Sequence, residues 1–580
     1  MKQLYASVLA AGILLASSVH GQAPSYEWAK TFYCTNPNFT LNEGSGSAIA
    51  TDPSGNVCTT GWFSDTADFD PGPGVAMLGS TGQASMFLLK LDALGNFVWA
   101  RVVQGGQNAM YAMGSTLATD AAGNIYTTGV FHGTIDFDPG AGVFNLTSTG
   151  PRDVYVMKFD PQGNFMWAGG ILGGYVESPE ISADAQGLVH LTGYYNGTFD
   201  ANPGVGVTAL VNPSSSYADF FIIKIDASGN FLWAHTLGDS NAEYSTSIRV
   251  DVQDNVYVTG AYYNTVDFDP GPGIFNLTSV GSGDVFILKL DPLGNFAWAR
   301  SVGGINSDIS ASVIPDTSGN IYVSGLFRGT CDFDPSAATY NLTSTDFNGD
   351  QFVLKLGSEG GFEWAVQFML TACGENFNLA LDPAGEPYLA GNFKDSADFD
   401  PGAGTHMLYG TVPATADMFV LKLDSLGIFQ WAVQVAGNDH VYADAITIGS
   451  DYSIFTYGYY SGTPDFDPGA GTAYITAGTP LSLFVHKLHQ QSLNGVSENS
   501  LQNTVSVYPN PGNGIFQLSS ENPQAKITTV EIYNATGQKV FSCSPGSSTY
   551  TLDLQTQPAG IYFLRMLIEG KSVQKKLVKE

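Results

Sequence analysis

Fourteen side chains in this sequence are suited to hold a hard cation. They come as seven pairs two residues apart: Asp68 and Asp70, Asp136 and Asp138, Asp200 and Asn202, Asp267 and Asp269, Asp332 and Asp334, Asp398 and Asp400, Asp465 and Asp467. Five pairs stand in Asp-Phe-Asp-Pro-Gly. In extended backbone the two carboxylates share a side and the ring points the other way. With loop carbonyls, each pair is a chemically suitable oxygen set for calcium. The spacing does not continue as an EF-hand loop does, with a further acid and a late Glu. The third copy has Asn202 at the second position, and the fifth, Asp332-Phe333-Asp334-Pro335-Ser336, lacks the glycines.

A metal-free reading uses the same residues. Asp, Pro and Gly are what a tight turn demands, and one Lys recurs at a fixed place in every copy: Lys90, Lys158, Lys224, Lys289, Lys355, Lys422 and Lys487. Seven cations beside seven acidic pairs would make a ring of structural ion pairs, unless each Lys only lays its stem on apolar surface. The structural turn with Lys pairing is the reading adopted, and calcium is its alternative. The Phe of the motif is expected to wedge between repeats. No His recurs by copy; His132, His190 and His440 lie in or near connecting segments, and no Ser/His/Asp or zinc spacing occurs. The five cysteines, Cys34, Cys58, Cys331, Cys373 and Cys543, follow no regular spacing, which speaks against a disulfide framework.

These pairs belong to a longer repeat. Trp28, Trp99, Trp167, Trp233, Trp298, Trp364 and Trp431 recur with spacings of 71, 68, 66, 65, 66 and 67. In the fourth copy "SIRVDVQDNVYVTGAYY" and "DVFILKLDPLGNFAWARSVGG" each read as strand, turn, strand. The turns, such as Asp120-Ala-Ala-Gly123-Asn124 and Asp160-Pro-Gln-Gly163-Asn164, carry the Asp and Gly that short hairpins need. Four strands in one copy cannot bury both faces alone, so neighbouring sheets must stack. The first Trp strand, Tyr26 to Phe32, has no partner before it, and the last copy ends at Leu483 to His489 without a Trp strand. The expectation is an all-β fold: a seven-bladed β-propeller over residues 22–490, of four-stranded antiparallel blades closed by the N-terminal strand, with an open solenoid as runner-up.

Composition bounds the partners. The formal charge is −31; residues 501–580 hold seven Lys/Arg against five Asp/Glu and Lys2 stands alone at the start, so about −34 falls between them. That charge repels a phosphate backbone, excluding nucleic acid and anionic membrane surfaces. "MKQLYASVLAAGILLASSVHGQAP" has one basic residue, a short apolar core and small residues before Gln22, as a secretory leader does, with cleavage after Gly21. No other stretch is expected to cross a membrane as a helix.

"GNIYTTG" from Gly123, "GNIYVSG" from Gly319 and "DVFILKLDPLGN" from Asp284 resemble the repeat named for seven-bladed bacterial β-propellers. That resemblance implies extracellular propellers and brings no catalytic residues. After a polar linker, residues 491–503, the segment 504–580 alternates strands and turns as a small β-sandwich. Tyr508-Pro509-Asn510-Pro511, Gly514, Asn534-Ala-Thr-Gly537, Pro558-Ala-Gly560-Ile-Tyr562 and a basic end with Lys576 resemble the C-terminal sorting domain of type IX secretion cargo. The resemblance implies Sec export, passage across the outer membrane by the type IX machinery, and a cell-surface or extracellular product.

The segments from each Trp strand to the next copy vary most: "GGQNAMYAMG" from Gly105, "GGYVESPE" from Gly173, "GDSNAEYST" from Gly238 and "GNDHVYAD" from Gly437. Tyr with Asn, Asp and Glu on one rim is a surface for glycans or protein partners, and equally the composition of a solvated connector. Asn-Leu-Thr at Asn145, Asn276 and Asn341 formally matches a glycosylation acceptor but suits a strand. The expected function is an exported, monomeric, non-enzymatic binding module for a glycan, polymer or protein. The alternatives are a polysaccharide hydrolase or lyase using rim carboxylates, and a passive surface protein.

Overall fold

The computed structural model describes residues 21–34, 48–81, 84–106, 110–212, 217–239, 241–344, 346–370, 377–413, 415–478, 481–490, 505–520, 526–534, 539–568 and 571–579. The expected leader up to residue 20, the linker 491–503, Cys373 and Gly537 lie outside them. Every helix or strand among the described residues is a strand, and the chain divides into two compact units, Met1–Gln491 and Ser492–Glu580.

The first unit repeats one four-stranded antiparallel sheet, the arrangement of a β-propeller's parts. Sheet one is Ala48–Thr51, Val57–Phe63, Ser85–Leu91 and Phe97–Val103; sheet two is Tyr111–Thr119, Ile125–His132, Asp153–Phe159 and Phe165–Ile171. Sheet three is Tyr175–Ala183, Val189–Asn196, Asp219–Ile225 and Phe231–Leu237; sheet four is Tyr244–Val250, Val256–Tyr262, Asp284–Leu290 and Phe296–Gly304. Sheets five and six begin at Ile309 and Phe377 and repeat the order. Sheet seven takes Val441–Ile448, Ser453–Tyr460 and Ser482–His489 from its own copy and Ser25–Cys34 from the start of the chain. There Lys30 pairs with Val485 and Phe32 with Leu483, as the unpaired strand ends anticipated.

Third strands such as Ser85–Leu91 and Asp153–Phe159 are buried at every position. They read as apolar runs rather than alternations because both faces are covered. Cover comes from the neighbouring sheet: Met86, Leu88 and Trp99 of sheet one share a core with Ile125, Phe131 and Tyr155 of sheet two. Val57, Phe87 and Leu89 of sheet one share another with Phe455, Tyr457 and Val485 of sheet seven. First strands lie side by side from sheet to sheet, and Val441–Ile448 lies beside Ala48–Thr51.

The second unit has a three-stranded sheet, Val505–Tyr508, Ile515–Ser520 and Thr549–Asp553, and a four-stranded one, Lys539–Cys543, Ile527–Asn534, Gly560–Ile568 and Lys571–Lys579. Phe516, Leu518 and Leu552 from the first share one core with Val530, Ile532, Leu564 and Met566 from the second.

Candidate functional site

The acidic pairs spend their oxygens on the backbone of their own loops. Asp136 Oδ1 accepts from the amides of Asp138 at 3.1 Å and Phe144 at 2.8 Å, and Asp138 Oδ1 accepts from Gly140 at 2.8 Å. The same bonds recur in the other copies at Asp68 and Asp70, Asp267 and Asp269, Asp398 and Asp400, and Asp465 and Asp467. Asp200 with Asn202, and Asp332 with Asp334, do the same despite their departures from the motif. A Cβ at Gly142 would lie 2.2 Å from Asp138 Oδ2, although the fifth copy makes the same loop with Ala338 at that position. Among the described residues no group of three or more His, Cys, Asp or Glu converges as metal ligands would.

The motif fastens sheets together. Its hairpin pairs with the end of the preceding sheet's fourth strand: Tyr33 with Asp68, Gly303 with Asp332, and by single bridges Leu172 with Asp200 and Ala436 with Asp465. The motif's aromatic ring is buried. Phe137 meets Phe131 edge-on at 5.3 Å, and where the third copy has Ala201, Phe199 supplies the ring, 4.5 Å from Tyr195.

The Lys residues do not pair with these acids, which corrects the sequence expectation. Each Lys stands near the end of its third strand, at the opposite end of the sheet from the motif, because the second and third strands are antiparallel. Lys158 lies opposite Tyr126, its ammonium 4.8 Å from the ring centre. Its partner is across the seam: Lys158 Nζ donates to the Ala227 carbonyl at 3.1 Å, and Trp167 Nε1 donates to the same oxygen at 3.1 Å. The paired donation recurs with Lys90 and Trp99 on Pro161, Lys224 and Trp233 on Pro292, Lys289 and Trp298 on Ser358, and Lys355 and Trp364 on Ser425. Lys487 and Trp28 converge on Ala93. Carboxylates other than the motif's assist, as Asp52 does for Lys90 at 2.8 Å and Glu27 for Lys487 at 2.8 Å. Lys422 differs: it pairs with Glu386 at 2.7 Å and Asp382 at 3.3 Å, and Trp431 Nε1 is buried without a partner among the described residues.

Polar side chains gather at the other end of the first strands of sheets two, three and four. Gly173 and Gly174, both at positive φ, turn the chain into Tyr175–Ala183. The Tyr175 hydroxyl donates to Glu177 Oε1 at 2.6 Å, Tyr194 to Oε2 at 2.9 Å, and Arg152 Nη1 to Oε1 at 3.0 Å. Tyr194 meets Tyr244 edge-on at 4.9 Å, and Tyr111 sits 6.0 Å from His132 on the sheet-two side. Tyr175 keeps 41% of its surface exposed.

A bulge at Ser178 and Pro179 shapes this end. The register runs from Glu177 opposite Tyr194 to Glu180 opposite Thr192, one extra residue on the first strand, as at the corresponding bulges of sheets two, four and five. Ser178 adopts φ +48°, a strained value for a residue with a Cβ. Burial pushes the Glu180 carboxyl up to about 7 against the opposing charge of Arg249, 3.8 Å away. Burial, with Glu177 adding, pushes the Tyr194 hydroxyl up to about 12, so at neutral pH it is a donor rather than a base.

Sequence reasoning named three of the contributing segments but could not join them. Arg152, from the start of a third strand, and Tyr194, from a second strand, were missed because only strand register brings them to Glu177. His440 and Tyr442 stack at 5.4 Å on sheet seven. His190 proves to be a buried strand residue, pushed down to about 3 by burial and by Lys224.

In the second unit Tyr508 ends a strand, exposed Pro509, Asn510 and Pro511 follow it, and Asn510 Oδ1 accepts from the Val578 amide at 2.8 Å. Gly560 opens a strand, buried Tyr562 donates to the Pro558 carbonyl at 2.7 Å, and Lys576 lies on the last strand.

Residues 506–580 match the model of the secretion system C-terminal sorting domain. This marks the chain for export to the cell surface or extracellular space and implies interaction with the type IX machinery. The chain is similar to an uncharacterized WD repeat-containing protein, L264, of Acanthamoeba polyphaga mimivirus, 24% identical over 444 residues, 64% of this chain and 30% of that one. It is also similar to the regulatory protein FlaEY of Caulobacter vibrioides, 26% identical over 156 residues, 25% of this chain and 16% of that one. The chain thus spans less than a third of the length of these curated relatives. Among solved structures, PorZ, a surface component of the type IX secretion system of Porphyromonas gingivalis, aligns at 10% identity and TM-score 0.21 over 94% of this chain and 82% of that one. A protein of unknown function from Bacteroides caccae aligns at 11% identity and TM-score 0.20 over 48% and 89%. TM-scores this low do not establish a shared fold. No helix among the described residues is long and apolar enough to cross a membrane.

Proposed function

We propose that the repeated sheets close into a seven-bladed propeller and that the exported chain is a non-enzymatic binding module taking a glycan where Tyr175, Glu177, Arg152, Tyr194 and Tyr244 meet. Closure is supported by the pairing of Lys30 with Val485 and by the bond from Lys487 to Ala93, which repeats between the ends of the chain what the interior seams do. The single observation carrying the binding reading is the Glu177 carboxylate. It is held by three donors beneath a Tyr ring left 41% open, a rigid polar anchor beside a stacking surface.

The test is binding of the purified full chain to a glycan array beside its Tyr175→Ala variant. Retention by a glycan that the variant loses is expected. Equal binding by both proteins, or none by either, would remove the site.

One observation favours a hydrolase as second reading: Glu180, pushed up to about 7, keeps a proton on the same strand as Glu177. Release of reducing ends from a polysaccharide, lost in Glu180→Gln, would establish that reading.

A further inference from the structure

We infer that the Tyr175 site, if it binds glycans as proposed above, takes a neutral, hydroxyl-rich chain and rejects uronates and sulfated sugars. Between the leader and residue 501 the protein carries about −34, a field that lowers the local concentration of any polyanion. A site built against that field to hold carboxylates or sulfates would present arginines with free forks. Here both arginines of the first-strand region already face carboxylates: Arg152 meets Glu177 at 3.0 Å and Arg249 meets Glu180 at 3.8 Å. The remaining acid of the cluster, buried Asp153, accepts from the amides of Thr149, Gly150 and Gly173 and presents no free charge.

What remains on offer is uncharged chemistry. Arg152 uses one N–H on Glu177, and its Nε is buried with no acceptor among the described residues. Glu177 retains lone pairs beyond its three bonds. A ring bearing neutral hydroxyls can both donate to Glu177 and accept from Arg152 while its C–H face lies on Tyr175. A uronate brought to the same place would add a second carboxylate beside Glu177, against the single Arg152 charge already paired with it.

The Ser178 and Pro179 bulge sets this arrangement. Without its extra residue the side chains beyond the bulge would flip to the other face of the strand, Glu180 among them. Ser178 lies in this bulge at φ +48°.

Affinity electrophoresis of the full chain distinguishes the possibilities, using gels cast with neutral β-glucan, mannan or xylan and parallel gels with polygalacturonate, alginate or chondroitin sulfate. Retardation by a neutral polymer is expected, weakened at least tenfold in Tyr175→Ala and unchanged between 50 and 500 mM salt. Phe347→Ala, which alters an exposed ring elsewhere, is expected to run as the parent does. Tyr175-dependent retardation only in the polyanionic gels, weakening with salt, would overturn the neutral assignment and leave the binding site standing. No Tyr175-dependent retardation in any gel would overturn both.

Discussion

The ammonium of Lys487 donates to the carbonyl of Ala93 at 3.1 Å, although 394 residues of chain separate them. Trp28, from the N-terminal strand, donates to the same oxygen at 3.3 Å. Thus the seam joining the chain's two ends carries the fastening found at Lys90 and Trp99 on Pro161. The exception lies one seam away, at Lys422 and Trp431, where the second hairpin turn of sheet seven is replaced by the two chain ends.

That asymmetry predicts unequal costs for one substitution. Trp298→Phe loses a bond to the Ser358 carbonyl, whereas Trp431→Phe removes a buried donor with no acceptor among the described residues. Allowing for similar ring-size effects, Trp298→Phe is expected to destabilise by about 0.5–1.5 kcal/mol more than Trp431→Phe. Urea midpoints of the two variants measure this; equal costs would deny the carbonyl bond any net weight.

The Asp-Phe-Asp-Pro turns predict tolerance of amide but not of methyl. Asp136→Asn keeps an oxygen for the amides of Asp138 and Phe144, while Asp136→Ala abandons both and is expected to cost about 1–3 kcal/mol. Melting midpoints are expected to be the same in EDTA and in millimolar calcium. A rise with calcium would return the motif to the metal reading, since a ligand specific to the folded state must stabilise it.

A pH prediction comes from Glu243, pushed up to about 8 by burial with Asp239 and Asp219 adding, and from Asp219, pushed up to about 7 by burial and Asp239. Unfolded, these groups titrate near pH ~4. Their native protons are retained where the unfolded chain would release them, so their contribution is whole below about pH 4 and is lost as pH climbs to 7 and 8. The melting temperature is expected to fall between pH 7 and pH 8.5, above the range in which buried His190 and His486 act in the opposite direction. Glu243→Gln, which cannot ionise, should flatten that slope and gain roughly 1–3 kcal/mol over the parent at pH 8.5. Parallel profiles for the two proteins would show that Glu243 does not set it.

Deleting residues 22–34 removes the fourth strand of sheet seven, which carries Trp28 and Glu27. The truncated chain is expected to lose its cooperative thermal transition and to expose the third strand of sheet seven to protease. A transition as sharp as the parent's would mean that the sheets hold together without the ends joining.

The fold was legible because its punctuation repeats. Asp120-Ala-Ala-Gly123-Asn124 has its Asp accept from the Asn124 amide, here at 2.9 Å, and its Gly at φ +79°; the positive φ is kept even where Asp254 and Tyr452 replace the Gly. The partner of Lys158 was misread because residue types were matched without asking which end of an antiparallel strand they occupy. Pairing of Lys158 with Tyr126, implicit in the two hairpins, would have put the ammonium far from the motif. The Glu177 cluster resisted for a different reason: it draws on three strands and on Arg152 just before a fourth, from three sheets, and the bulge beside it holds a Ser in a conformation its type does not announce.

Because Ser25–Cys34 finds its hydrogen bonds on Ser482–His489, the earliest segment stays unsatisfied until nearly the last of the repeats has been supplied. A product cut short anywhere before that point is left with a raw edge, so this pairing registers whether every repeat is present.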